Sequence, residues 1–166
     1  IKVEIIGSEA FADNTNVKSV VIPKNIVEIE DNAFDSCTNL ANVTLNEGLK
    51  KLGYRAFFNT AIETITIPST VEETGGAFQY GNLKEAVLSN GMKTIPEDLF
   101  YECSLLEKVT FPKDVEVIGA SSFKNCVGLK EFNIPNTVTK ISEEAFWGCT
   151  GFTNIELSKN VTEIDE

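Results

Sequence analysis

The sequence predicts an α/β solenoid, mostly β by content: a right-handed superhelix of stacked repeats, with a parallel sheet on its concave side and short helical turns on the other. Three observations predict it. Phenylalanine recurs at positions 11, 34, 57, 78, 100, 123 and 146, giving spacings of 23, 23, 21, 22, 23 and 23. Columns of apolar residues run in register with those phenylalanines, and proline and glycine return at fixed places within the same period. A unit this short, with one strand and one helical turn, cannot bury its own apolar face and must stack on its neighbours. Crossovers between parallel strands are right-handed almost without exception.

The strand comes first. Val20, Val43, Ile65, Ala86, Val109, Phe132 and Ile155 form one apolar column. Two residues further on, Ile22, Leu45, Ile67, Leu88, Phe111, Ile134 and Leu157 form another. Alternation with period two is a strand with one buried face. Four of the five prolines, Pro23, Pro68, Pro112 and Pro135, follow directly. There a proline ends a strand without removing a central ladder bond. The next columns are Ile26, Leu49, Val71, Met92, Val115, Val138 and Val161, then Ile29, Leu52, Thr74, Ile95, Ile118, Ile141 and Ile164. Gly7, Gly53, Gly75 and Gly119 mark the following turn. Small polar or acidic residues then precede the phenylalanine, among them Asp31-Asn32 and Glu143-Glu144. They suit the start of a short helix, where side-chain oxygens meet unpaired N–H groups. The fourth repeat is the expected weak point, because Thr74 and Ala86 thin the apolar contact there. Thr74→Ile is therefore expected to raise the urea midpoint.

The unit reads L-x-x-V-x-I-P-x-x-V-x-x-I-G-x-x-A-F-x-x-C. It resembles a leucine-rich repeat, and within that group the BspA-like (Treponema-pallidum-type) class. The segments NIVEIEDNAFDSCTNLANVTL, DVEVIGASSFKNCVGLKEFNIP and TVTKISEEAFWGCTGFTNIEL carry the likeness over nearly their whole length. The resemblance covers residues 1–166 as a single domain of about seven 21–23-residue repeats. It implies a leucine-rich-repeat superhelix in a bacterial surface or secreted protein that attaches to host cells or matrix glycoproteins. Repeats cut short at both ends read as a segment of a longer protein, and uncapped ends invite end-to-end self-association.

Composition narrows the function. Lys and Arg number 14 against 25 Asp and Glu, a net charge of −11, which repels phosphate backbones and anionic lipid, so no nucleic acid is expected as a partner. No apolar run reaches transmembrane length, so no membrane insertion is expected. The chain has no histidine, which removes the commonest general base and the commonest metal ligand. No phosphate-binding glycine loop, nucleophile elbow or zinc-protease motif occurs. The expectation is a non-catalytic protein with no cofactor.

All four cysteines lie three residues after a phenylalanine: Cys37, Cys103, Cys126 and Cys149. Adjacent repeats bring such positions within disulfide range, but equivalent side chains point the same way, into the core. A line of thiols 23 residues apart does not converge on a metal, and a nucleophilic thiolate needs a base. They read as free, buried, small hydrophobes, without disulfide or metal. Asn14, Thr60 and Gly81 hold the same slot in the other repeats.

A binding surface is expected on the outward side of the strands. The candidate residues are Asn42, Thr44, Thr64, Thr66, Glu85, Val87, Lys108, Thr110, Glu131, Asn133 and Glu156. Alternation of Glu63, Lys84, Glu107 and Lys130, and of Glu85, Lys108 and Glu131, also serves the sheet, since opposite charges across strands stabilise it. A second set is Phe58, Tyr101 and Trp147, each directly after a ladder phenylalanine in alternate repeats. Either that column faces out and anchors an interface, or it packs against the next turn; the alternate spacing favours packing. The function expected is binding of a protein or glycoprotein ligand outside the cell. The rival reading is a structural spacer presenting another domain.

Overall fold

The computed structural model describes residues 2–166. Each turn of the coil carries two strands. The first set is the expected one: β2 (Ser19–Val21), β4 (Asn42–Thr44), β6 (Thr64–Ile67), β8 (Glu85–Leu88), β10 (Lys108–Thr110), β12 (Glu131–Asn133) and β14 (Asn154–Glu156). The second set consists of two-residue strands: β1 (Ile5–Ile6), β3 (Glu28–Ile29), β5 (Lys51–Leu52), β7 (Glu73–Thr74), β9 (Thr94–Ile95), β11 (Val117–Ile118), β13 (Lys140–Ile141) and β15 (Glu163–Ile164). All pairing is parallel and joins equivalent columns, such as Ile65 with Ala86 and Ile118 with Ile141. The result is a parallel β-solenoid with a leucine-rich-repeat pattern.

The short helices expected on the far side are not there: the described residues contain no helix. Two residues before and two after each of the seven periodic phenylalanines, the backbone is left-handed. Around Phe34 these are Asn32 (φ 55°) and Ser36 (φ 58°); around Phe123 they are Ser121 (φ 51°) and Asn125 (φ 62°). A right-handed helix cannot pass through a left-handed residue every fourth position. The chain instead forms overlapping tight turns, closed by Ala33 N–H to Glu30 O, Asp35 N–H to Asn32 O and Cys37 N–H to Phe34 O. The N–H groups between them point along the coil. Asn32, Phe34 and Ser36 donate to the carbonyls of Tyr54, Ala56 and Phe58 in the next turn, at 2.9, 2.8 and 3.0 Å. The polar residues before the phenylalanine thus serve left-handed turns, which Asn and Asp tolerate best, rather than helix caps.

The core is a stack of phenylalanine rings under these turns. Phe11, Phe34, Phe57 and Phe78 stack at centroid distances of 5.1, 5.2 and 5.5 Å. Phe100, Phe123 and Phe146 continue at 5.5 and 5.4 Å. Burying such a ring contributes about 1.5–3 kcal/mol and its stacking about 0.5–1.5 kcal/mol more. Coils approach closely: a Cβ at Gly119 would lie 2.2 Å from the Ile95 carbonyl oxygen, so that turn has no room for a side chain. Where the proline after the strand is missing, Asn46 takes its place and donates through Nδ2 to the carbonyls of Pro23 and Ile26 in the preceding turn.

The ladders open at three places, and these openings position the candidate sites. In the first ladder, sheet pairing stops between β4 and β6 and again between β10 and β12. At the first of these breaks the link from Phe57 to Ile62 is one residue shorter than that from Phe34 to Leu40. Beneath β10 and β12, Phe132 stands where other repeats have smaller residues. It packs against Phe111 (5.1 Å), Phe123 (5.4 Å) and Phe146 (4.8 Å), and this cluster spreads the strands. The third opening lies on the turn side. Pairing stops between β7 and β9, and no main-chain hydrogen bond joins residues 71–82 to residues 92–104. The ring stack also breaks between Phe78 and Phe100. Leu99 is buried in the slot that is alanine at 33, 56, 77 and 145, and its extra volume has to be housed between the turns. Thr74 crosses this seam with its hydroxyl, donating to the Glu97 carbonyl at 2.5 Å. The seam lies at the fourth repeat, but Thr74 is not an idle departure from the column.

Candidate binding surfaces

The strand face carries the residues expected of it. Asn42, Thr44, Thr64, Thr66, Glu85, Val87, Lys108, Thr110, Glu131, Asn133 and Glu156 are all exposed; except on β14, where Ile155 is exposed as well, they alternate with residues that turn inward. The opening between β4 and β6 turns part of this face into a groove of about 490 Å³, lined by Thr44, Thr64, Thr66, Glu85 and Val87 over Val43 and Ile65. The charged columns pair in part. Lys84 meets Glu63 at 2.9 Å and Lys108 meets Glu85 at 3.6 Å. Lys108 makes no ion pair with Glu131 among the described residues, since β10 and β12 part there. Most cross-coil ion pairs lie instead on or beside the second ladder: Lys51–Glu28, Lys50–Glu72, Lys93–Glu116 and Lys140–Glu163.

The cysteines are free and buried. Each thiol donates to the phenylalanine carbonyl of the preceding turn: Cys37 to Phe11 (3.1 Å), Cys103 to Phe78 (3.5 Å), Cys126 to Phe100 (3.1 Å) and Cys149 to Phe123 (3.0 Å). Burial raises the pKa of all four, with Cys149 pushed up from 9.0 to about 11. A thiol so protonated is a poor nucleophile and a poor metal ligand. Thr60, in the same slot, instead donates within its own turn, to the Phe57 carbonyl.

On the turn side, Trp147 is 58% exposed, while Phe58 and Tyr101 are half-buried. Phe58 holds the Arg55 guanidinium over its ring at 3.5 Å and the Tyr80 ring edge-on at 5.7 Å. Lys124 lies over Trp147 at 5.0 Å and bonds Glu144 at 2.6 Å. These contacts belong to a larger arrangement at the seam. All three tyrosines of the chain, Tyr54, Tyr80 and Tyr101, line one open groove of about 620 Å³, with Gln79, Glu97, Asp98, Glu102 and Lys124. Tyr80 has φ 51°, at the place where other repeats have Asp13, Ser36, Asn59, Glu102, Asn125 or Gly148. A bulky residue is rare in that conformation, and its ring is 58% exposed. The Glu102 carboxylate beside it raises the Tyr80 pKa. Burial, and then Glu97, raise that of Asp98. Tyr54, Gln79 and Tyr80 escaped the reading of the sequence; Tyr80 alone is a visible departure from its column, since those of Tyr54 and Gln79 vary from repeat to repeat.

The family model for the BspA type leucine-rich repeat region matches the chain in six copies, over residues 4–127 and 72–166. Among solved structures, the chain is similar to a leucine-rich repeat protein from Eubacterium ventriosum (26% identity, TM-score 0.80, covering 98% of this chain and 44% of that one). It is also similar to one from Bacteroides ovatus (26%, 0.73, 98% and 48%). The leucine-rich repeat protein of T. pallidum shares the fold at 24% identity and TM-score 0.60, covering 98% of this chain and 67% of that one. The chain thus spans about half the length of the first two. No curated protein matches it.

Proposed function

Because the chain belongs to the BspA-type leucine-rich-repeat family, we propose that it is a non-catalytic binding module of a surface or secreted protein, and that the strand face receives a protein or glycoprotein ligand. One observation carries this reading. The opening between β4 and β6 puts a threonine-lined groove in the strand face, and no main-chain hydrogen bond closes it. Main-chain groups that the sheet leaves unused, with Thr44, Thr64 and Thr66 around them, offer donors and acceptors at little desolvation cost. Val87 supplies an exposed apolar contact beside them. A plain spacer needs no such break in its ladder. Adhesion to host or matrix components is the role that the family resemblance implies.

The test is a panel of immobilised matrix glycoproteins probed with the wild-type chain and with Thr66→Arg. Thr66 is exposed on its strand, so the arginine fills the groove without touching the core. Binding that the variant abolishes, with the urea midpoint unchanged, supports the strand face. Equal binding by both proteins places the ligand elsewhere.

A further inference from the structure

We propose that the tyrosine groove at the seam is a second binding site, and that it takes the guanidinium group of an arginine side chain presented by a protein partner. The site is built by departures from the repeat. Gly76 occupies a left-handed position (φ 66°) held by Arg55, Asp98 and Ser121 in neighbouring turns, and a Cβ there would meet Gln79 Nε2 at 2.5 Å. The absent side chain makes room for the Gln79 amide. Gln79 is only 5% exposed, lines the groove, and its amide makes no hydrogen bond to any described residue. Leu99, buried where Ala33, Ala56, Ala77 and Ala145 stand in other turns, is a further departure beside it.

The lining selects a cation. Glu97, Asp98 and Glu102 bring three carboxylates, and the one lysine, Lys124, is held by Glu144 and by the Trp147 face. Burial, and after it the charge of Glu97, raise the Asp98 pKa, and a bound cation favours its ionised form. The same side of the coil already shows the chemistry within the chain: Arg55 covers Phe58 and Lys124 covers Trp147. Among the described residues no cation covers Tyr80 or Tyr101. A planar guanidinium stacks on tyrosine and bonds a carboxylate through two N–H groups, which an ammonium does less well. The Gln79 carbonyl accepts a further N–H.

This site goes beyond the strand-face reading and does not depend on it, because Thr66→Arg leaves the seam untouched. The probe is the capped tripeptide acetyl-Gly-Arg-Gly-amide, with its citrulline counterpart as the neutral isostere. Amide chemical shifts of the 15N-labelled chain are followed up to about 20 mM peptide, the range in which a single side-chain contact registers. Shifts at Tyr54, Gln79, Tyr80 and residues 97–102 are expected from the arginine peptide and not from citrulline. Tyr101→Ala and Glu102→Gln should each weaken binding by about tenfold. Glu102→Gln changes one rim oxygen and carries the test if Tyr101→Ala disturbs the fold. Equal response to citrulline, shifts confined to other surfaces, no shift at all, or wild-type affinity in Glu102→Gln would each overturn the proposal.

Discussion

Thr74→Val separates what the sequence column asks for from what the coil uses. The column is otherwise isoleucine or leucine, so the pattern alone expects an apolar residue at 74 to stabilise the stack. The Thr74 hydroxyl instead donates to the Glu97 carbonyl across a seam that no main-chain bond crosses. A hydrogen bond of this kind is worth about 0.5–1.5 kcal/mol net. Valine keeps the volume and recovers a few tenths of a kcal/mol at most, because the position is half-buried. The expected loss is about 0.5–1 kcal/mol. With a urea m-value of about 2 kcal/mol/M, the midpoint falls by about 0.3–0.5 M. Isoleucine adds one methylene, worth about 0.8 kcal/mol when fully buried and less here, so Thr74→Ile should fall near wild type. Equilibrium urea unfolding followed by circular dichroism measures all three proteins. A midpoint for Thr74→Val at or above wild type would refute the bridging role and restore the expectation drawn from the column.

Four further outcomes follow from the packing. Gly119→Ala forces a Cβ against the Ile95 carbonyl and should lower stability by about 1–3 kcal/mol, read from the urea midpoint; a wild-type midpoint would mean the coils can part at no cost. Phe123→Ala removes a buried ring that touches Phe100, Phe111, Phe132 and Phe146, and should cost about 3–5 kcal/mol. The cysteines should label slowly with a thiol reagent in the folded chain and fast in urea; rapid labelling of the folded chain would contradict their burial. Stability should also fall as pH rises from about 9 towards about 11, because the unfolded chain releases thiol protons that the fold retains. Cys149 alone contributes up to about 1.4 kcal/mol per pH unit in that window, and Cys149→Ala should remove its share of the slope.

The repeat columns were legible because each recurs from turn to turn and is buried through the middle of the stack. Ile65, Ile118 and Phe123 are buried as their spacing requires. The second ladder was not legible, because strands such as Glu28–Ile29 are two residues long and show no alternation. The turn side was misread for a chemical reason. Asn and Asp cap helices and also tolerate left-handed backbone, so Asp31-Asn32 before Ala33-Phe34 satisfies both descriptions. Only the φ of 55° at Asn32 decides between them. The outward strand residues were legible by parity alone, whereas the groove among them is a matter of how neighbouring coils pair, which no single repeat displays.

In a repeat protein the regular positions are explained by stacking, so a site is best sought where the pattern breaks without loss of burial. A random loss of pattern would leave a cavity. At the seam, Leu99 adds volume where alanine is the rule, Gly76 removes a side chain where most turns have one, Gln79 takes the space, and Tyr80 accepts an unfavourable backbone. Leu99, Gln79 and Gly76 are nonetheless buried, so these departures offset one another in packing and together open one groove. The left-handed backbone at Tyr80 costs stability that the ladder does not return, which is the usual mark of a constraint other than folding.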